Sequence, residues 1–155
     1  MEPSRPVVLV VEDEVVTRRV LTQLLEQDGY VVEAVASGEA GLARIAEGGI
    51  DVVLLDLVLP GLDGIELTRR VRENAETVYL PIIMVTSLDS PDQQHAGFEA
   101  GADDYVTKPF NTRDLLDRVR VWTRTSQRLQ ASHSALVCQW LDLLASRAAE
   151  PRPVS

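Results

Sequence analysis

Cysteine is nearly absent. Cys138 is the only one in 155 residues, so no internal disulfide can form and a site built of several thiolates is excluded. Lysine is equally scarce: of fifteen basic residues fourteen are Arg and one is Lys108. An arginine-favouring composition explains the missing lysines but not the one that is retained. No apolar run approaches the ~20 residues of a membrane helix. The polar start at residues 2–6 and the brief apolar run at 7–11 do not read as a signal peptide. A cytoplasmic protein without a membrane partner is the expectation. Positive charge is also short, since 24 acids face 15 bases for a net −9. The deficit lies in residues 1–125, where 22 acids and 12 bases leave −10, while residues 126–155 carry two acids and three bases, +1. A body this acidic repels a phosphate backbone, which argues against nucleic acid as a partner.

What is present is the composition of a folded domain, 45% hydrophobic and 25% charged, in a chain long enough for one domain and a helical appendage. Short apolar runs alternate with helix-patterned segments. Residues 7–11 and 52–55 are apolar on both faces, as strands buried on both sides are. Residues 30–35 alternate, and 82–85 follow Pro81 as a further strand; a short one is expected around Tyr105 and Val106. Between them lie helical stretches. Val16, Val20 and Leu24, widened by Leu21 and Leu25, form the apolar stripe of the first, which ends at Asp28 and Gly29. Ser37, Asp63 (with Glu66), Ser90 (followed by Pro91) and Asn111 (with Asp114) are the helix caps. Five β-α repeats imply a doubly wound α/β fold: a five-stranded parallel sheet with helices on both faces.

In such sheets ligands bind beyond the carboxyl ends of the strands, where the strand order reverses. Those ends carry Glu12 and Asp13, Asp56, Thr86 and Lys108. Three carboxylates meeting in one place repel each other unless a cation intervenes. Hard oxygen donors without His or Cys select Mg²⁺. A metal, a carboxylate nucleophile, a hydroxyl and an ammonium suit phosphoryl transfer onto the carboxylate. Asp103 and Asp104 read as solvated loop charges.

Glu12-Asp13, the stretch 56–64 (DLVLPGLDG), Val85-Thr86-Ser87 and the stretch 102–110 (ADDYVTKPF) together resemble the CheY-like receiver domain of two-component response regulators. The resemblance covers about residues 6–125 and implies the flavodoxin-like strand order 2-1-3-4-5. It implies Asp56 as phosphoacceptor and Mg²⁺ held by Asp13, Asp56 and the Val58 backbone carbonyl, with Glu12 acting mainly through water. It further implies Lys108, after a cis bond to Pro109, on the phosphoryl oxygens, and Thr86 and Tyr105 as the switch pair. The implied partners are a histidine kinase or phosphotransfer protein upstream and a protein downstream. The chain would then be no enzyme beyond phosphorylating and dephosphorylating its own Asp56. A phosphorelay shuttle is the related alternative, and a Mg²⁺-dependent phosphohydrolase with an aspartyl nucleophile is the rival. The hydrolase wants a second Asp two positions on, where Val58 stands. A flavin carrier on the same fold would find its phosphate repelled by residues 12–14.

The receiver is expected over residues 1–125, followed by a helical extension, 126–155, with a frayed end. About thirty residues are too few for a DNA-binding output domain, so the output expected of this chain is protein contact. Leu129, Leu136, Val137, Trp140, Leu141 and Leu144 form a stripe at helical spacing. It admits folding back on the domain or a homodimer, for which the face of the fourth helix, fifth strand and fifth helix is the other surface. Neither Gly nor Pro occurs from Thr112 to Glu150, so the last helix is expected either to run well past the domain or to break and restart near Ser132 or Ser134.

Overall fold

The computed structural model describes residues 5–86 and 91–149, without the side chains of 128–135, 137 and 146–149. Strands and helices alternate throughout: β1 (Val7–Val11), α1 (Val15–Gln27), β2 (Val31–Val35), α2 (Gly38–Ala46), β3 (Val52–Asp56), α3 (Gly64–Glu73), β4 (Ile82–Thr86), α4 (Pro91–Ala100), β5 (Asp104–Thr107) and α5 (Thr112–Ala149). All strand pairs are parallel and the order is β2-β1-β3-β4-β5, the expected doubly wound α/β sheet.

The two-faced strands explain the layers. Along β1, Val8 and Val10 turn to one face and Leu9 and Val11 to the other, all fully buried. The first face packs Leu21 and Leu25 of α1 with Leu115 and Val119 of α5, and the second packs Ile45 of α2 with Leu67 and Val71 of α3. α4 joins that second side, where Gly97 lies so close to the Met84 sulfur that a Cβ would stand 2.7 Å from it. β2 and β5 are the edge strands and are correspondingly less buried.

Local signals end the helices where the side chains supply partners. Ser37, Asp63 and Asn111 accept the backbone N–H of Ala40, Glu66 and Asp114 at 3.2, 2.8 and 3.1 Å; Ser87 and Ser90 lie outside the described residues. The apolar stripe of α1 differs from the expected one. Leu21 and Leu25 are its buried residues, whereas Val16 is 67% and Val20 41% exposed. Both sets share helical spacing, and only the position of the sheet selects between them.

α5 is one uninterrupted helix from Thr112 to Ala149, so no break occurs near Ser132 or Ser134. Leu115, Val119, Thr123 and Ser126 are buried, while Leu136, Trp140, Leu141, Leu143 and Leu144 are exposed. This part of the expected stripe is therefore not folded back on the domain; the Leu129 and Val137 side chains lie outside those described.

Candidate functional site

Strand register assembles the site. Beyond β1 the chain moves to β2 on one side, and beyond β3 it moves to β4 and β5 on the other, so β1 and β3 flank the reversal point. Val11 pairs with Leu55, which sets Glu12 beside Asp56. Asp56 pairs with Val85 and Val85 with Val106, bringing Thr86 and the residues after Thr107 to the same edge. The Lys108 amide donates to the Thr86 carbonyl at 2.7 Å, and the Lys108-Pro109 bond is cis.

Carboxylate oxygens of Glu12, Asp13 and Asp56 lie within 4.8 Å of one another, the one metal-competent acidic group among the described residues. Glu12 is buried, Asp56 partly so, and Asp13 is exposed. Lys108 Nζ donates to Glu12 Oε1 at 2.7 Å and to Asp56 Oδ2 at 3.4 Å. Glu12 Oε2 is buried and has no hydrogen-bond partner. A buried acid next to another carboxylate holds its proton tightly. Burial first, then the neighbouring Asp56 carboxylate, push the Glu12 pKa up to about 8 against the pull of Lys108. For Lys108, burial disfavours the charge, but Glu12 and Asp56 outweigh it and the pKa is raised.

The remaining candidate residues stand around this centre. The Val58 N–H donates to Asp56 Oδ1 at 3.1 Å, fixing that oxygen, and the Val58 side chain is exposed. Thr86 is buried at the end of β4. Tyr105 is half-buried and meets Phe98 edge-on, ring centres 5.5 Å apart. Leu57, Met84, Thr86, Phe98 and Tyr105 line a small recess, so the hydroxyl and the aromatic share one space.

Several supporting residues escape sequence reasoning. Arg18 Nη1 donates to the Glu12 carbonyl at 2.9 Å and holds the turn that carries the acidic pair. Glu39, from α2, accepts the Leu62 N–H at 2.8 Å and steadies the loop after β3, where Gly61 adopts φ +74. Neither contact has a sequence signature, because both partners are far apart or belong to the backbone. Asp103 and Asp104 are not solvated loop charges. Asp103 Oδ2 accepts the Ile82 N–H at 2.8 Å and Arg72 Nη2 at 2.7 Å. Asp104 opens β5 and accepts Arg118 Nη1 at 2.6 Å and Trp122 Nε1 at 3.2 Å.

Gly64 has a direct structural role. A Cβ there would stand 2.6 Å from the Asp56 carbonyl oxygen and 3.0 Å from Leu57 Cα, both backbone atoms with little room to yield. Gly64→Ala is expected to cost roughly 1–3 kcal/mol in urea unfolding, because α3 must retreat from β3; a loss below measurement error would show that the loop accommodates the methyl.

The fold is an α/β protein whose five-stranded parallel sheet gathers, at its reversal point, three carboxylates that could hold a metal ion and one ammonium beside two of them. The chain belongs to the response regulator receiver domain family, whose sequence model matches residues 8–120. Among curated relatives, the transcriptional regulatory protein ResD of Bacillus subtilis is 40% identical over 121 residues, 78% of this chain and 49% of that protein. The phosphate regulon transcriptional regulatory protein PhoB of Rhizobium meliloti is 41% identical over 122 residues, 79% and 54%. The chain thus spans about half the length of the curated relatives it matches. A putative response regulator from Chloroflexus aurantiacus superposes with TM-score 0.75 at 38% identity, covering 78% of this chain and 99% of that one. The receiver domain of sensor histidine kinase PA1611 from Pseudomonas aeruginosa, with a magnesium ion coordinated in its active site cleft, gives 0.73 at 31%, covering 77% and 98%.

Proposed function

We propose that the chain is a phosphorylation-controlled receiver in which Asp56 takes a phosphoryl group from the phosphohistidine of a partner histidine kinase or phosphotransfer protein. The observation that carries this reading is the convergence of Glu12, Asp13 and Asp56 under Lys108, with a buried Glu12 oxygen left unpaired. All donors in the cluster are hard oxygens, the set that suits Mg²⁺, and the magnesium in the PA1611 receiver supports that choice. Asp13, Asp56 and the Val58 carbonyl would hold the ion directly and Glu12 mainly through water. When bound, Mg²⁺ supplies positive charge that offsets the carboxylates and the phosphoryl oxygens.

The protein's own groups do the rest. An Asp56 carboxylate oxygen forms the new O–P bond as the N–P bond to the donor histidine breaks, and imidazole leaves. Lys108 is held over Asp56 by its shorter bond to Glu12, ready to pair with a phosphoryl oxygen. Thr86 would supply its hydroxyl to another oxygen. Its displacement opens the recess it shares with Tyr105, whose inward turn reshapes the face of α4, β5 and α5. A downstream protein reads that face, a population shift between two surfaces. The setting is cytoplasmic, and among the described residues no helix is long and apolar enough to cross a membrane. A phosphorelay shuttle would use the same chemistry with a second histidine as acceptor. The phosphohydrolase reading loses ground because Val58 carries no acid two residues after Asp56.

Incubation with acetyl phosphate and Mg²⁺, followed by intact-mass measurement, tests the reading. One phosphoryl group per chain is expected, and EDTA is expected to reduce labelling at least tenfold, since the carboxylates then repel the incoming anion. Undiminished labelling in EDTA would remove the metal from the scheme, and sustained turnover of phosphate monoesters would favour the hydrolase.

A further inference from the structure

The part of α5 beyond the domain shows an apolar face that its own domain leaves uncovered. Leu115, Val119, Trp122 and Ser126 succeed each other at steps of four, three and four residues and pack toward the sheet. The same stepping continues in the sequence at Leu129, passes the polar His133, and resumes its apolar run at Leu136, Trp140 and Leu143. Leu115 and Val119 are fully buried, yet Trp140 is 65% and Leu143 61% exposed. A heptad stripe slips only about 20° per repeat around a straight helix, so the exposed stretch stays on the half of α5 that faces its own domain. Exposed Cys138, Gln139 and Asp142 lie on the opposite side. Residues 127–149 project about 34 Å past Ser126 at 1.5 Å per residue. Fold-back coverage would require a break that the helix does not have.

We propose that a second copy of this chain covers the stripe, with the two extensions antiparallel and the receiver domains at opposite ends. Three observations select this occupant and this direction. Packed helices lie 8–10 Å apart, so a parallel copy in register would drive its residues 112–126 into the space filled by this chain's sheet. The antiparallel copy meets no such obstacle, because its domain lies beyond the tip of the extension. Charge agrees: two bodies of net −10 each end up several Debye lengths apart instead of side by side. The area suffices as well. Leu136, Trp140, Leu141, Leu143 and Leu144, each more than half exposed, offer on the order of 1,000 Å² in a two-fold pair, the lower bound for a stable interface. The stripe meets itself about an axis near residue 138, an isologous contact that closes.

Light scattering during gel filtration at micromolar concentration is expected to give twice the 17.1 kDa chain mass, and Leu136→Asp with Trp140→Asp is expected to halve it. Both substituted side chains are solvent-exposed in the single chain, so circular dichroism should remain unchanged. Energy transfer then reports direction without altering the stripe. Donor and acceptor dyes on the native Cys138 should transfer strongly across the axis. Dyes on Arg113→Cys in a Cys138→Ser background should not transfer, because antiparallel helices place them about 75 Å apart. A monomeric wild type, strong transfer between dyes at 113, or a dimer that survives the two aspartates would each overturn the proposal.

Discussion

Asp56→Asn abolishes phosphoryl acceptance while the domain stays folded: labelling by acetyl phosphate falls below about 1% of wild type, a barrier increase of at least ~2.7 kcal/mol. The carboxamide has no anionic oxygen to form the O–P bond, and Glu12, although nearby, is buried and committed to Lys108 at 2.7 Å. Asp13 is the exposed member of the cluster, and the ion pairs of Lys108 are with Glu12 and Asp56. Folding should survive because the change preserves shape and removes a charge from a cluster of three converging carboxyl groups. Intact-mass spectrometry and a urea titration on one sample read both outcomes. Labelling that persists in Asp56→Asn would move the acceptor to another carboxylate and undo the assigned roles.

Arg72→Ala should cost about 3 kcal/mol of stability. The Arg72 guanidinium lies largely buried at the end of α3 nearest the start of β4. It donates to the carbonyls of Gly101 at 2.9 Å and Val78 at 3.1 Å, to that of Leu80, and to Asp103 at 2.7 Å. Burial opposes its charge and Asp103 only partly compensates, so its pKa is lowered. Truncation leaves three carbonyls without this donor and leaves Asp103, which also accepts the Ile82 N–H, as a partly buried anion without its cation. Because these acceptors flank both β4 and the α4–β5 connection, the midpoint of urea unfolding should fall with little change in slope. Adding Asp103→Ala should recover part of the loss by removing the stranded charge. A loss below about 1 kcal/mol would mean that water replaces the guanidinium without penalty.

Asp56 and Arg72 were unequally visible in the sequence. Asp56 stands directly after the apolar run 52–55, so its place at a strand end follows from local pattern alone. The same holds for Thr86 after residues 82–85, and for the Asp63 and Asn111 caps, whose partners are three residues away. Arg72 gave no signal. Its acceptors are distant or backbone atoms, and on a charged helix an Arg ordinarily points to water. Asp103 and Asp104 were illegible for the same reason: two adjacent acids after Gly101 look like a solvated loop until Arg72 and Arg118 are seen to meet them. α1 offered one broad apolar stripe, and only the sheet's position buried its Leu21 and Leu25 edge and left Val16 and Val20 exposed.

The amino-acid sequence determined the order of elements, the two-faced strands and the residues at their carboxyl ends, because periodicity and capping act over a few neighbouring residues. Tertiary structure decided what those residues face. The pairing of Val11 with Leu55 joins Glu12 to Asp56, and chain separations of 96 and 52 residues close in the contacts of Lys108 with them. Contacts of that range depend on sheet register and on burial, which no local window contains. The same is true of the last helix, whose stripe is legible as a pattern but whose division into a covered part and an open part is set by where the sheet ends.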